Sequence, residues 1–274
     1  MHTKLEFIDD FSAEFLRVGK HDEEELHSLG KQSFENISLE LDALHCLRFF
    51  SNINNLILRP GRINENDIYC LDNLPVKRLK LDYYSDSLDE YTIDLSVFEN
   101  LEHIFSRTQY NFRNVEKCRN LKSLVVQEWC SSDLSYLKNV SVCKIKMLSG
   151  KLKKLEGIHQ FMGLKYLSLS NQRFLADIAD LQRCQGLEEL EIESCGRIQL
   201  DSFPSIESLH TLILIGRQTI ENCSFFFRFP NLKKLILGMK IMDSDTSSLL
   251  RLKHCAILTD SRHYTHKNAD LPKL

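Results

Sequence analysis

The stretch Leu164-Lys165-Tyr166-Leu167-Ser168-Leu169-Ser170-Asn171 has a counterpart in Leu187-Glu188-Glu189-Leu190-Glu191-Ile192-Glu193-Ser194-Cys195. Both read L-x-x-L-x-L, and the second half of each alternates apolar and polar residues. That is the period of a strand buried on one face. Toward the N-terminus the pattern returns at Val142-Ile145-Met147, Leu121-Leu124-Val126, Leu101-Ile104-Ser106, Val76-Leu79-Leu81 and Ile53-Leu56-Leu58, with Phe34-Ile37-Leu39 as a weaker forerunner. Toward the C-terminus it returns at Leu209-Leu212-Leu214, Leu232-Leu235-Leu237 and, more weakly, Leu252-Cys255-Ile257. From residue 53 to residue 252 the rows begin 20–25 residues apart, about 22 on average. Ten rows at so even a spacing are a repeat architecture.

Between the rows, apolar residues return every three or four positions, as in Leu155, Ile158, Phe161 and Leu164, or Ile178, Leu181, Cys184 and Leu187. Such spacing suits a short α- or 3₁₀-helical return. A strand and a return of this length cannot bury their own apolar side, so neighbouring coils must stack. The expected fold class is α/β: a solenoid with a concave parallel β-sheet and short helical or 3₁₀ returns on its convex side. Strands are expected near residues 55–58, 78–81, 123–126, 144–147, 166–169, 189–192, 211–214 and 234–237, with Leu167, Leu190, Leu212 and Leu235 in one buried line.

On these rows the chain resembles the leucine-rich-repeat family, in its short class of about 22 residues, over roughly residues 34–258. The resemblance implies a protein-binding purpose and a polar side chain bonding backbone in the turn after each strand. Cys195 stands at that turn position, whereas Trp129, Gln172, Arg217 and Lys240 depart from it. The family's asparagine ladder is thus largely missing, and the turns must be satisfied in another way. Trp129 is expected to pack rather than bind.

Composition agrees with a soluble repeat protein. Leucine supplies 44 of 274 residues, whereas Gly and Pro together supply 15. No run approaches the ~20 apolar residues of a membrane span. The start, MHTKLEFIDD, is acidic where a signal peptide needs a basic start and an apolar core. Nine scattered cysteines argue for a reducing, cytoplasmic setting. Residues 1–45 hold 4 Lys/Arg against 11 Asp/Glu, including Asp22-Glu23-Glu24-Glu25. They are expected to form an acidic cap or first irregular repeat, with the solenoid over 46–258 and a polar cap or tail over 259–274.

Chemistry is sparse. Phosphate-cradling and nucleophile-elbow motifs are absent. His263-Tyr264-Thr265-His266 lacks the further ligands of a zinc site. Cys118, Cys184 and Cys255 fall on apolar positions, where a small thiol replaces leucine. No cofactor, metal or catalytic residue is expected.

Alternate positions of each strand must face the groove. The candidate partner-binding residues there are Phe105, Arg107, Lys144, Lys146, Tyr166, Glu189, Glu191, Glu193, Ile213, Ile215 and Ile236. A basic first half, also holding Arg59, Arg78 and Lys80, precedes a ridge of three glutamates and then an isoleucine stretch. The expectation is a non-enzymatic protein-binding module, monomeric when unbound and disfavouring nucleic acid and membrane. Its most specific form is a cytoplasmic immunity protein that sequesters a toxin domain with a basic surface. The alternatives are an adaptor or substrate-recognition subunit of a larger assembly and a host-directed effector.

Overall fold

The computed structural model describes residues 2–8, 11–19, 22–29, 32–85, 92–137, 142–196, 198, 203–259 and 264–273. The chain divides into two compact units, Met1–Gln127 and Glu128–Leu274. The first begins with a hairpin, β1 (His2–Ile8) against β2 (Phe11–Val18), paired antiparallel. From β2 onward the pairing is parallel: to β3 (Asn36–Glu40), β4 (Asn55–Arg59), β5 (Arg78–Leu81) and β6 (His103–Thr108). The strand β7 (Ser123–Trp129) follows β6 in the sheet. The second unit holds β8 (Lys144–Gly150), β9 (Tyr166–Ser170), β10 (Glu189–Glu193), β11 (Thr211–Ile220), β12 (Lys234–Ile241) and β13 (Ala256–Thr259), each parallel to the next. The weak rows at both ends of the sequence pattern therefore form strands too.

Register shows why these residues became strands. Ile145, Leu167, Leu190, Leu212 and Leu235 are partners across successive strands, and all five are fully buried. The first unit has the same line in Ile37, Leu56, Leu79 and Ile104. Each coil contributes one or two leucines to a seam that only its neighbours can close. The expected buried line is present.

Polar backbone joins the coils at the strand entrances. The N–H groups of Lys165 and Tyr166 both donate to the Cys143 carbonyl, at 2.9 and 3.0 Å. Those of Glu188 and Glu189 converge on Lys165 O, those of His210 and Thr211 on Glu188 O, and those of Lys233 and Lys234 on His210 O, all at 2.8–3.0 Å. One carbonyl thus takes two donors in coil after coil, satisfying groups that would be costly to bury unpaired.

The returns are 3₁₀ where the sequence left α and 3₁₀ open. Ile158 N–H donates to Leu155 O, Phe161 to Ile158 and Leu164 to Phe161, all at 3.0–3.1 Å. The series Ile178, Leu181, Cys184, Leu187 repeats this three-residue step at 2.9–3.1 Å. With three residues per turn, every third side chain points inward. An α-helix, Glu23–Leu29, lies near the N-terminus, with Glu23, Glu24 and Glu25 in its first turn. Its Leu26 is buried, and Glu23 pairs with Arg48 at 2.7 Å. At the other end, Ile257 N–H donates to Pro272 O at 3.0 Å and Thr259 N–H to Asn268 Oδ1 at 2.6 Å, so residues 264–273 line the last coil.

Cys118, Cys184 and Cys255 are buried at leucine positions, and the Cys118 thiol donates to Leu95 O at 3.5 Å. Burial pushes the Cys118, Cys184 and Cys223 thiols up to about 12, and those of Cys46, Cys195 and Cys255 up to about 11. A raised thiol stabilises the fold fully only below its unfolded value of 9.0. Above that pH the unfolded chain sheds these protons first. Stability should therefore fall progressively between pH 9 and about 12, and urea midpoints measured across that range will show whether it does. Leu190→Ala, in the centre of the seam, should cost ~2–5 kcal/mol by the same measurement at pH 7.

Candidate functional site

The turn after each strand fixes how its groove-facing residues are presented. Trp129 is fully buried and its indole N–H donates to Asp133 O at 2.9 Å, so it packs as the sequence suggested. Gly150 sits directly over the Trp129 backbone, at φ +147°, where a Cβ would collide. Gln172 is fully buried, and its amide donates to Met147 O at 3.4 Å and Ser170 O at 3.2 Å. Cys195 makes the equivalent weak thiol contacts to Leu169 O, 3.2 Å, and Glu193 O, 3.5 Å.

In β11 the turn is tied differently: Gln218 donates to two carbonyls of the preceding coil's turn, Cys195 O and Gly196 O, at 2.8 and 2.5 Å, while Arg217 is exposed. The cause is a bulge: β11 advances four residues, Ile215 to Thr219, while β12 advances two, Gly238 to Lys240. Two expectations from the sequence change. Gln172 restores the ladder rather than breaking it, and Arg217 is not the turn residue of its coil. The substitution is imperfect, because Oε1 of both glutamines is buried with no hydrogen-bond partner among the described residues.

Across the groove face of the second unit, register places Lys144, Tyr166, Glu189, Thr211, Lys234 and Ala256 in one row. Lys146, Ser168, Glu191, Ile213, Ile236 and Leu258 form the next. Ser170, Glu193, Ile215 and Gly238 form a third. Adjacent members stand about 4.8 Å apart, the spacing of paired strands. The Tyr166 hydroxyl donates to Glu191 Oε2 at 2.6 Å. Lys144 and Lys146 hold their ammonium groups 5.4 and 5.7 Å from the centre of the Tyr166 ring. Burial, reinforced by the Glu191 bond, pushes the Tyr166 phenol well up. Glu191 is therefore engaged, unlike Glu189 and Glu193 beside it, which are exposed. Ile213, Ile215 and Ile236 are half-buried, and Leu258, which the sequence reading passed over, is 53% exposed. Its row was the weakest match to the repeat, so nothing marked its groove position.

Phe105 and Arg107 belong to the first unit and form a separate group. Arg107 donates to Asp82 Oδ1 at 2.9 Å, and Lys80 lies 3.3 Å from the other oxygen of Asp82. Lys80 also stands 5.6 Å from the Phe105 ring centre. Phe105 packs against Phe15 and Ile57, both fully buried on this face. Phe15 carried no repeat pattern and was invisible in the sequence. Of the nominated residues, the structure gathers Lys144, Lys146, Tyr166 and Glu191 into one cluster, flanked by Glu189, Glu193 and the three isoleucines.

Among the described residues no group of three His, Cys, Asp or Glu could hold a metal ion, and no helix is long and apolar enough to cross a membrane. His263 lies outside the described residues; His266 Nδ1 is 3.3 Å from Thr246 Oγ1.

No protein-family model matches the chain. Among solved structures, an internalin (inlF) from Listeria monocytogenes has a TM-score of 0.59 at 15% identity, covering 85% of this chain and 68% of that one. TLR13, in its complex with ssRNA13, gives 0.52 at 17% identity over 85% of this chain and 40% of its own. Mouse RP105, in its complex with MD-1, gives 0.51 at 18% identity over 83% and 46%. The chain is a leucine-rich-repeat solenoid. At these identities the likeness is one of fold. The disease resistance protein RPS4B of Arabidopsis thaliana is 25% identical over 199 residues, 62% of this leucine-rich-repeat chain but 17% of that protein's length.

The bulge assignment has a direct test. Gln218→Ala strips two backbone carbonyls of their donor and should cost ~1–3 kcal/mol, whereas Arg217→Ala should stay within about 0.5 kcal/mol of the parent in urea unfolding.

Proposed function

We propose that this leucine-rich-repeat protein is a non-enzymatic binder of another protein and engages it through the groove face of its second unit. One observation carries the reading. On a sheet whose every backbone strand is paired, Glu189, Glu193, Ile213, Ile236 and Leu258 are displayed in fixed register beside an aromatic cluster that is already organised. Rigid aromatic and apolar anchors rimmed by charge are what dominate interface energetics. Pre-organisation also lowers the entropy lost on binding.

In its most specific form the protein is a cytoplasmic immunity protein, an inhibitor that occupies a toxin domain by its basic surface. Glu189 and Glu193, both exposed on one strand, support a basic counterpart, since like charges held on one face attract positive charge. The partial likeness to a much longer disease resistance protein favours a second reading, a recognition part of a larger assembly.

Affinity purification of the tagged protein from its source organism, with mass spectrometry, separates the two. A single partner in stoichiometric amount supports the inhibitor; a multi-subunit assembly supports the adaptor. Tyr166→Ala, which removes the ring beneath both lysines, should release the partner at least tenfold faster in either case. A partner retained equally by Tyr166→Ala and by Ile213→Ser would refute binding at this face.

A further inference from the structure

The two units differ in how much of their groove face is already satisfied. In the first, Asp82 pairs with both Lys80 and Arg107. Arg59 donates to Ser38 Oγ at 2.7 Å, Asn55 to Asn36 Oδ1 at 2.5 Å, and Arg17 lies 3.9 Å from Glu40. The apolar residues there, Phe15 and Ile57, are fully buried against one another and Phe105. Much of that surface's polar chemistry is turned on itself.

In the second unit the internal pairing stops at β10. Glu191 is taken by Tyr166, and Glu188, on the opposite side of the strand entrance, pairs with Lys165 at 2.9 Å. Glu189 and Glu193 make no side-chain hydrogen bond or ion pair among the described residues. In the Glu189 row the nearest basic residues are Lys144, whose ammonium sits over the Tyr166 ring, and Lys234, each two strands or roughly 10 Å away along the sheet. Four residues of extended strand hold the two carboxylates about 13 Å apart. Beside them lies an apolar floor: Ile213 and Ile215 one strand over, Ile236 two, Leu258 three.

We infer that the occupant of this face is a basic protein surface that sets two cationic side chains about 13 Å apart over Glu189 and Glu193, with a large apolar side chain placed against Ile213, Ile236 and Leu258. The footprint runs from Tyr166 on β9, at its edge, to Leu258 on β13. This rests on the protein-binding reading above and adds the partner's chemistry and the limits of the contact. Charge complementarity selects the partner: a carboxylate pair with no counter-ion on a rigid strand attracts cationic groups and repels phosphate backbones. The apolar floor selects protein again, because Ile213, Ile215, Ile236 and Leu258 give a nucleic acid no ring to stack on.

The test uses the full chain, immobilised, and a phage-displayed library of random 12-residue peptides as the probe. Enriched peptides should carry two Arg or Lys and at least one large apolar residue. Synthetic copies should bind at least tenfold more weakly to Glu189→Gln/Glu193→Gln and to Ile236→Ser/Leu258→Ser, with the fold of each variant verified by circular dichroism. Lys80→Gln/Arg107→Gln, in the first unit, should bind as the parent does. Peptides without basic bias, or peptides lost only on the first-unit variant, overturn this footprint while leaving the groove as a protein-binding face. No enrichment, or binding indifferent to every groove substitution, overturns both. Displacement of the peptides by a labelled single-stranded oligonucleotide overturns the partner class.

Discussion

No coil of this chain can bury its own leucines. A strand of five residues and a 3₁₀ return leave an apolar edge on each side, and only the next coil covers it. The buried line Ile145-Leu167-Leu190-Leu212-Leu235 and the forked backbone bonds at the strand entrances answer the same requirement, one in apolar area and the other in hydrogen bonds. Everything else follows from keeping successive coils in register. Because the seam fixes which residues face inward, it also fixes which ones face the groove, and these are left unconstrained by stability. Glu189 and Glu193 can stand uncompensated because Leu190 and Ile192 between them are buried and hold the strand in place.

That division explains what the sequence could and could not disclose. The seam was legible because burial enforces a period, and the period survives substitution of leucine by isoleucine, valine or cysteine. Tyr166 and the glutamates were legible as groove residues for the same reason. Their partnerships were not, since alternate positions give direction without distance. Nothing in Lys80, Asp82 and Arg107 as letters said that both cations would pair with the one carboxylate, and the basic half of the groove looked more available than it is. Phe15 lies on a hairpin strand outside the repeat, so no periodicity pointed to it. Gln172 was misread because amides one methylene longer than asparagine can still reach the preceding coil, at the expense of a stranded carbonyl.

The 3₁₀ returns carry a related lesson. Apolar residues at every third position are compatible with α and 3₁₀ geometry over short spans. Here the hydrogen bonds run three residues back because the return has to cover a short distance with all its apolar residues on one line. The same inward position holds Phe161 in one return and the small thiols of Cys118 and Cys184 in others, all buried.

The two surplus residues that β11 absorbs between Ile215 and Thr219 show where this architecture has slack. A one-residue change in chain length within a strand's seam would turn the rest of that strand to the wrong face. Past the seam residues of a strand, extra chain becomes a bulge, and β11 and β12 pair again beyond it, Ile220 against Ile241. Strand exits are therefore the places where such a chain can gain or lose residues during its history without refolding, and the groove can be relengthened coil by coil while its rows stay aligned.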